Sequence, residues 1–233
     1  MNLEFRRVYL LYTLFIFLIF IGVRIVLNYI RKNTIKHLNE LLYIKENYFL
    51  YQELLNNTRL RLIFRREMID ILKLNGYLLE GNETNIKKMF FKLDNTKLEP
   101  YEKLDYYQKR FSYYVEHKDS EEAKKSLLML KDIFSKAKNQ KAISIVEEAE
   151  LVYDIYILHN TKLIPKLIKK ENKINDPIIK GINQYRIAKL YYYENNHKQV
   201  DIYLTKALDN VKGTYWYPII VEAKKDYSIL DKK

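Results

Sequence analysis

Residues 184–211 read QYRIAKLYYYENNHKQVDIYLTKALDNV. A small residue, Ala188, is followed three positions later by an aromatic one, Tyr191. A polar turn comes next, and Val200, Leu204 and Ala207 then mark one face of a second helix. Apolar residues at three and four spacing on both sides of a polar break predict a helical hairpin. The small residue lets the second helix approach closely, and the aromatic fills the gap beneath the turn. One such hairpin cannot bury its apolar face alone, so further copies must stack on it.

Those copies are present. At an offset of 114 residues, Leu74, Tyr77, Ile86, Phe90 and Leu93 repeat the spacing around the turn EGNETN. At an offset of 77, Phe111, Tyr114, Ala123, Leu127 and Leu130 repeat it around EHKDSEE. A fourth, less regular copy runs from Tyr153 or Tyr156 through HNTK to Leu163 and Leu167. Successive second helices lie 37, 40 and 37 residues apart. The pattern resembles the tetratricopeptide-repeat (TPR) family, whose unit is a helix-turn-helix of about 34 residues. Its marks are the Ala188–Tyr191 pair and the Val200–Leu204–Ala207 triplet, over about residues 58–211. Gln184 stands where the family carries Trp, and Lys212 where it carries Pro. The resemblance implies a TPR-like α-solenoid of about four helical hairpins whose first helices face an inner groove. It nominates Gln184, Lys189 and Tyr192 as exposed groove positions for a protein or peptide partner. Trp216–Leu230, with Pro218 suited to a first helical turn, reads as a C-terminal capping helix.

Elsewhere the three-and-four pattern continues almost without interruption, and no window alternates with period two, so the chain is expected to be all-α. Near its start, Val8–Val23 is sixteen residues without a charge. If the Arg24 side chain reaches back to the headgroups, the stretch extends to Leu27, long enough for a single N-terminal transmembrane helix. Arg24, Asn28 and Tyr29 occupy the place where a signal-peptidase site needs small residues, which favours an uncleaved anchor. The expected division is an anchor over 1–30, a juxtamembrane helix over 31–57 and a repeat domain over 58–233. Arg24, Arg31, Lys32 and Lys36 outnumber Arg6 and Arg7, so the repeat domain is expected on the cytoplasmic side of the cell membrane.

The 233 residues carry 41 Lys and Arg against 29 Asp and Glu, a net charge of +12. With no Cys, disulfides, thiolate metal sites and cysteine nucleophiles are excluded. The five glycines are never clustered, so no phosphate-binding loop is visible, nor is there an HExxH pair or a nucleophile elbow. No enzyme, cofactor or metal is expected. His117, His159 and His197 fall at the turns of three copies, where adjacent repeats about 10 Å apart hold them too far from one another to share a metal.

Two basic features remain: Arg59, Arg61, Arg65 and Arg66 in RLRLIFRR, and Lys162, Lys166, Lys169, Lys170 and Lys173 on one helical face. Next to an anchor, anionic lipid is their expected contact, ahead of an acidic peptide. No nucleic-acid module is recognisable. The leading expectation is a membrane-anchored interaction module, an adaptor or scaffold, with a membrane-tethered peptide-sensing regulatory receptor as the alternative.

Overall fold

A computed structural model describes residues 3–135 and 140–232, with side chains over 15–135 and 143–231. All its regular structure is helical among the described residues. The chain divides into two compact units, 1–106 and 107–233, whose boundary falls inside one helix.

In the first unit α1 runs Leu3–Asn39 and ends in a π turn, Glu40–Ile44; α2 is Tyr48–Asn56, α3 Arg66–Glu80 and α4 Glu83–Asp94. The single helix expected over 31–57 is therefore two. Glu46 takes a positive φ of 49° and the Asn47 side chain accepts a hydrogen bond from Leu50 N at 3.0 Å, so α2 starts with its own N-cap. Leu38, Leu41, Leu42, Tyr51, Leu55, Ile69 and Leu72 form the core that joins α1, α2 and α3.

The expectation of a membrane-spanning helix over Val8–Leu27 is overturned. No helix among the described residues is long and apolar enough to cross a membrane. Residues 8–14 of that stretch lie outside the described side chains. From Phe15 the run stays apolar for nine residues, to Val23, or about 13 Å of helix against the roughly 30 Å of a hydrocarbon layer. Eighteen residues from Phe15 take in Arg24, Arg31 and Lys32. Neither an anchor nor a membrane orientation follows from these residues.

Helix α5, Pro100–Glu116, carries the chain from one unit into the next; α6 is Ser120–Ser135, α7 Gln140–Tyr156, α8 Ile164–Glu171, α9 Pro177–Tyr193, α10 His197–Asn210, α11 Trp216–Lys225 and α12 Ile229–Lys232. The expected single capping helix is thus α11 and α12. Ala188, Val200, Leu204 and Ala207 are completely buried, as are Leu74, Ala123 and Leu130. Phe111 is buried too, while Tyr77, Tyr114 and Tyr191 are half-buried. Ala188→Leu should cost about 1–3 kcal/mol in a urea melt, because overpacking there forces α9 and α10 apart.

The turns repeat more faithfully than the helices. Gly81, Lys118, His159 and Asn195 all have positive φ, between 51° and 71°. Each is followed by Asn or Asp: Asn82, Asp119, Asn160 and Asn196. In three turns the carbonyl of the repeat aromatic, Tyr77, Tyr114 or Tyr191, accepts from the backbone N–H of that residue at 2.9 Å. The side chain of the same residue then caps the next helix, Asn82 at Asn85 N, Asp119 at Glu122 N and Asn196 at Gln199 N. One left-handed residue thus closes the first helix and a neighbouring cap opens the second. The His159 turn departs from this, with Asn160 N bonding Asp154 O instead, in the copy whose sequence spacing is also irregular.

Candidate functional site

A cavity of about 380 Å³ opens in the second unit. It is lined by Ser112, Val115 and Glu116 of α5, Val152 and Tyr156 of α7, Tyr185 and Lys189 of α9, and Trp216 and Ile219 of α11. Lys118, Tyr215 and Asp231 complete it. Among the described residues no lining side chain comes from α6, α8 or α10. Three-and-four spacing explains the set: 112, 115 and 116, then 152 and 156, then 185 and 189, put one face of each first helix toward the same space.

Lys189 is the chemically unusual member. It is 1% exposed, and its ammonium donates to the carbonyl of Leu230. The nitrogen also lies 4.5 Å from the centre of the Tyr156 ring and 5.8 Å from that of Tyr193, within cation–π range. Burial pulls its pKa down to about 8, against the field of Asp231, which favours the charged form. The Asp231 carboxylate takes an ion pair from Lys118 at 3.0 Å, which holds it below the usual carboxylate range. Behind the wall, Arg186 pairs with Glu148 and sits beside Tyr156. The His159 ring stacks on Tyr193 with centroids 3.8 Å apart. Tyr185 and Trp216, at 6.0 Å, form an aromatic corner.

The nominated groove positions separate. Lys189 is at the cavity, but as a buried wall residue rather than an exposed one. Gln184 is also buried and points elsewhere. Its amide nitrogen donates to Glu171 Oε1 at 2.7 Å, and its oxygen accepts from Asn210 Nδ2 at 2.9 Å, so α8 and α10 hold it. Tyr192 is half-buried, tilted against Tyr193, and does not line the cavity. Tyr156, Tyr185, Trp216, Lys118 and Asp231 join the site although the repeat spacing does not nominate them for it. Their usable signals are the four-residue steps to Lys189 and from Val152, and the position of the chain's one tryptophan.

The basic residues are otherwise disposed. Lys162, Lys166, Lys169, Lys170 and Lys173 are exposed on α8 and its flanking turns but do not share one face: Lys166 and Lys170 line a cleft with Leu163 and Leu167, facing Glu147, Glu148, Glu150 and Asp154 of α7. Arg59, Arg61 and Arg66 are exposed. Arg65 pairs with Glu99 at 2.9 Å and lies 3.8 Å from Glu102, within the first unit. Of the turn histidines, His117 bonds Tyr113 O through Nδ1 at 2.8 Å and stacks on that ring. Among the described residues no group of three potential ligands could hold a metal ion. No family model, curated protein or solved structure matches the chain.

Proposed function

We propose that the chain is a helical-repeat binding module, TPR-like in its hairpins, that takes a segment of a partner peptide into the cavity of its second unit. One observation carries this reading: a cavity of about 380 Å³ is lined by successive first helices, with Tyr156, Tyr185 and Trp216 as its walls. Aromatic pockets of this size suit an anchoring side chain, and a few such anchors dominate peptide and protein binding. Lys189 and Lys118 beside Glu116 and Asp231 supply polar groups that set the orientation of a bound main chain.

The test uses the protein's own reporter. Trp216 is the only tryptophan, so its fluorescence should change when a peptide enters the cavity. Peptides captured on an array by the full-length chain are titrated against it. Val152→Phe, which fills the cavity, and Tyr185→Ala, which removes a wall, should each weaken binding by about tenfold or more. If captured peptides leave Trp216 unmoved and both variants bind as well as wild type, the cavity is not the binding site.

A further inference from the structure

Residues 226–231 bring the backbone onto the cavity. After α11 the backbone turns at Asp226, whose carboxylate accepts from Ser228 N at 2.9 Å, and α12 returns against α9. Leu230 is completely buried, its carbonyl receives the Lys189 ammonium, and the next residue, Asp231, pairs with Lys118 and lines the cavity. An apolar side chain, a main-chain carbonyl and a carboxylate are thus recognised in sequence by the first-helix face. Both cations arise from repeat elements: Lys189 from α9 and Lys118 from the positive-φ position of the α5–α6 turn. The Lys118–Asp231 pair is nearly half exposed on both sides, so it is weak and open to exchange.

We propose that the cavity selects peptides in which an apolar residue is followed directly by an acidic one, and that Leu230–Asp231 is a tethered occupant of that subsite. The proposal rests on the peptide-binding reading above. A tethered occupant acts at the millimolar effective concentration of a short linker, so a free peptide binds weakly until that occupant is loosened. Partner affinity is therefore set partly by the chain's own C-terminal turn.

The probes are the acetylated, amidated pentapeptide Tyr-Ser-Ile-Leu-Asp, taken from residues 227–231, and two analogues, one with Lys for Asp and one with Ser for both apolar residues. Each is titrated by Trp216 fluorescence against full-length wild type, Asp231→Lys and Lys118→Glu, alongside the array peptides. The Leu-Asp peptide should bind Asp231→Lys roughly fivefold more tightly than wild type, the factor an exposed ion pair carries. Lys118→Glu should lose the Leu-Asp peptide and prefer the Leu-Lys analogue, a charge swap that loss of folding cannot mimic. The Ser analogue should bind none of them. If array peptides move Trp216 but none of these preferences appears, Leu230–Asp231 is a capping turn only and the inference falls while the binding reading stands. If no peptide moves Trp216 in any of the three proteins, both fall.

Discussion

Replacing Gly181 with valine should destabilise the second unit by about 3 kcal/mol, and even Gly181→Ala should destabilise it. Gly181 lies in the first turns of α9, where α10 ends against it. A Cβ there would overlap Val211 Cγ1 and stand 3.2 Å from both the Ala207 carbonyl oxygen and Asn210 Cβ. Little of this can give way. Val211 is completely buried and β-branched, and the Ala207 carbonyl accepts from Val211 N at 3.1 Å. The helices must part, loosening Val200, Leu204 and Ala207 against Ala188. Helix propensity works the other way, favouring alanine over glycine by about 1 kcal/mol. Gly22, where a Cβ would meet nothing within 4 Å, isolates that gain, so Gly22→Ala should be neutral to stabilising. Denaturant melts followed by circular dichroism compare the two variants, and Trp216 fluorescence follows the second unit. Stabilisation by Gly181→Ala equal to that by Gly22→Ala would mean that close approach at this glycine does not hold α9 to α10.

The helices are legible in the sequence because the information that forms them is local. Leu74, Phe111, Ala188 and their partners recur at three and four spacing, and nothing distant is needed to read which face they share. The turns carry a local signal too: a residue able to take positive φ, then Asn or Asp, occurs at Gly81-Asn82, Lys118-Asp119, His159-Asn160 and Asn195-Asn196. Two kinds of feature are not legible. A lysine or glutamine on a helix reads by default as solvated, yet Lys189 is covered by a carbonyl 41 residues along the chain, and Gln184 is satisfied by Glu171 and Asn210. Such contacts have no period and leave no trace in spacing. The apolar run near the start misleads for the opposite reason. Hydropathy counts residues, but from Phe15 onward Arg24 and the basic residues after Asn28 leave no uninterrupted span.

The buried ammonium has a measurable cost, and Lys189→Met should expose it. A pKa drawn from the ordinary 10.5 to about 8 corresponds to on the order of 3 kcal/mol of destabilisation at neutral pH, at about 1.4 kcal/mol per pH unit. The sign follows from proton counting. Between pH 8 and 10.5 the unfolded chain holds the lysine proton and the folded chain does not, so wild-type stability gains from this group as pH rises through that window. Below pH 8 both states are charged and the full cost is present. Methionine keeps the length of the stem and removes the charge, but leaves the Leu230 carbonyl without the ammonium and the Tyr156 ring without the Lys189 cation over it. At pH 7 the variant should therefore be more stable than wild type by about 2 kcal/mol, and the advantage should shrink toward pH 10.5. Tyr156 and Tyr185 do not blur the comparison, since burial raises both above the ordinary tyrosine value of 10 and they are common to both proteins. Urea melts at several pH values give the difference directly. A variant less stable than wild type at pH 7, with no change in difference between pH 8 and 10.5, would mean that Lys189 is a net structural tie. The expected result has a functional corollary. A wall residue that weakens its own fold, in a cavity where methionine would fit, is retained for what it binds, so Lys189→Met should combine higher stability with loss of peptide binding at Trp216.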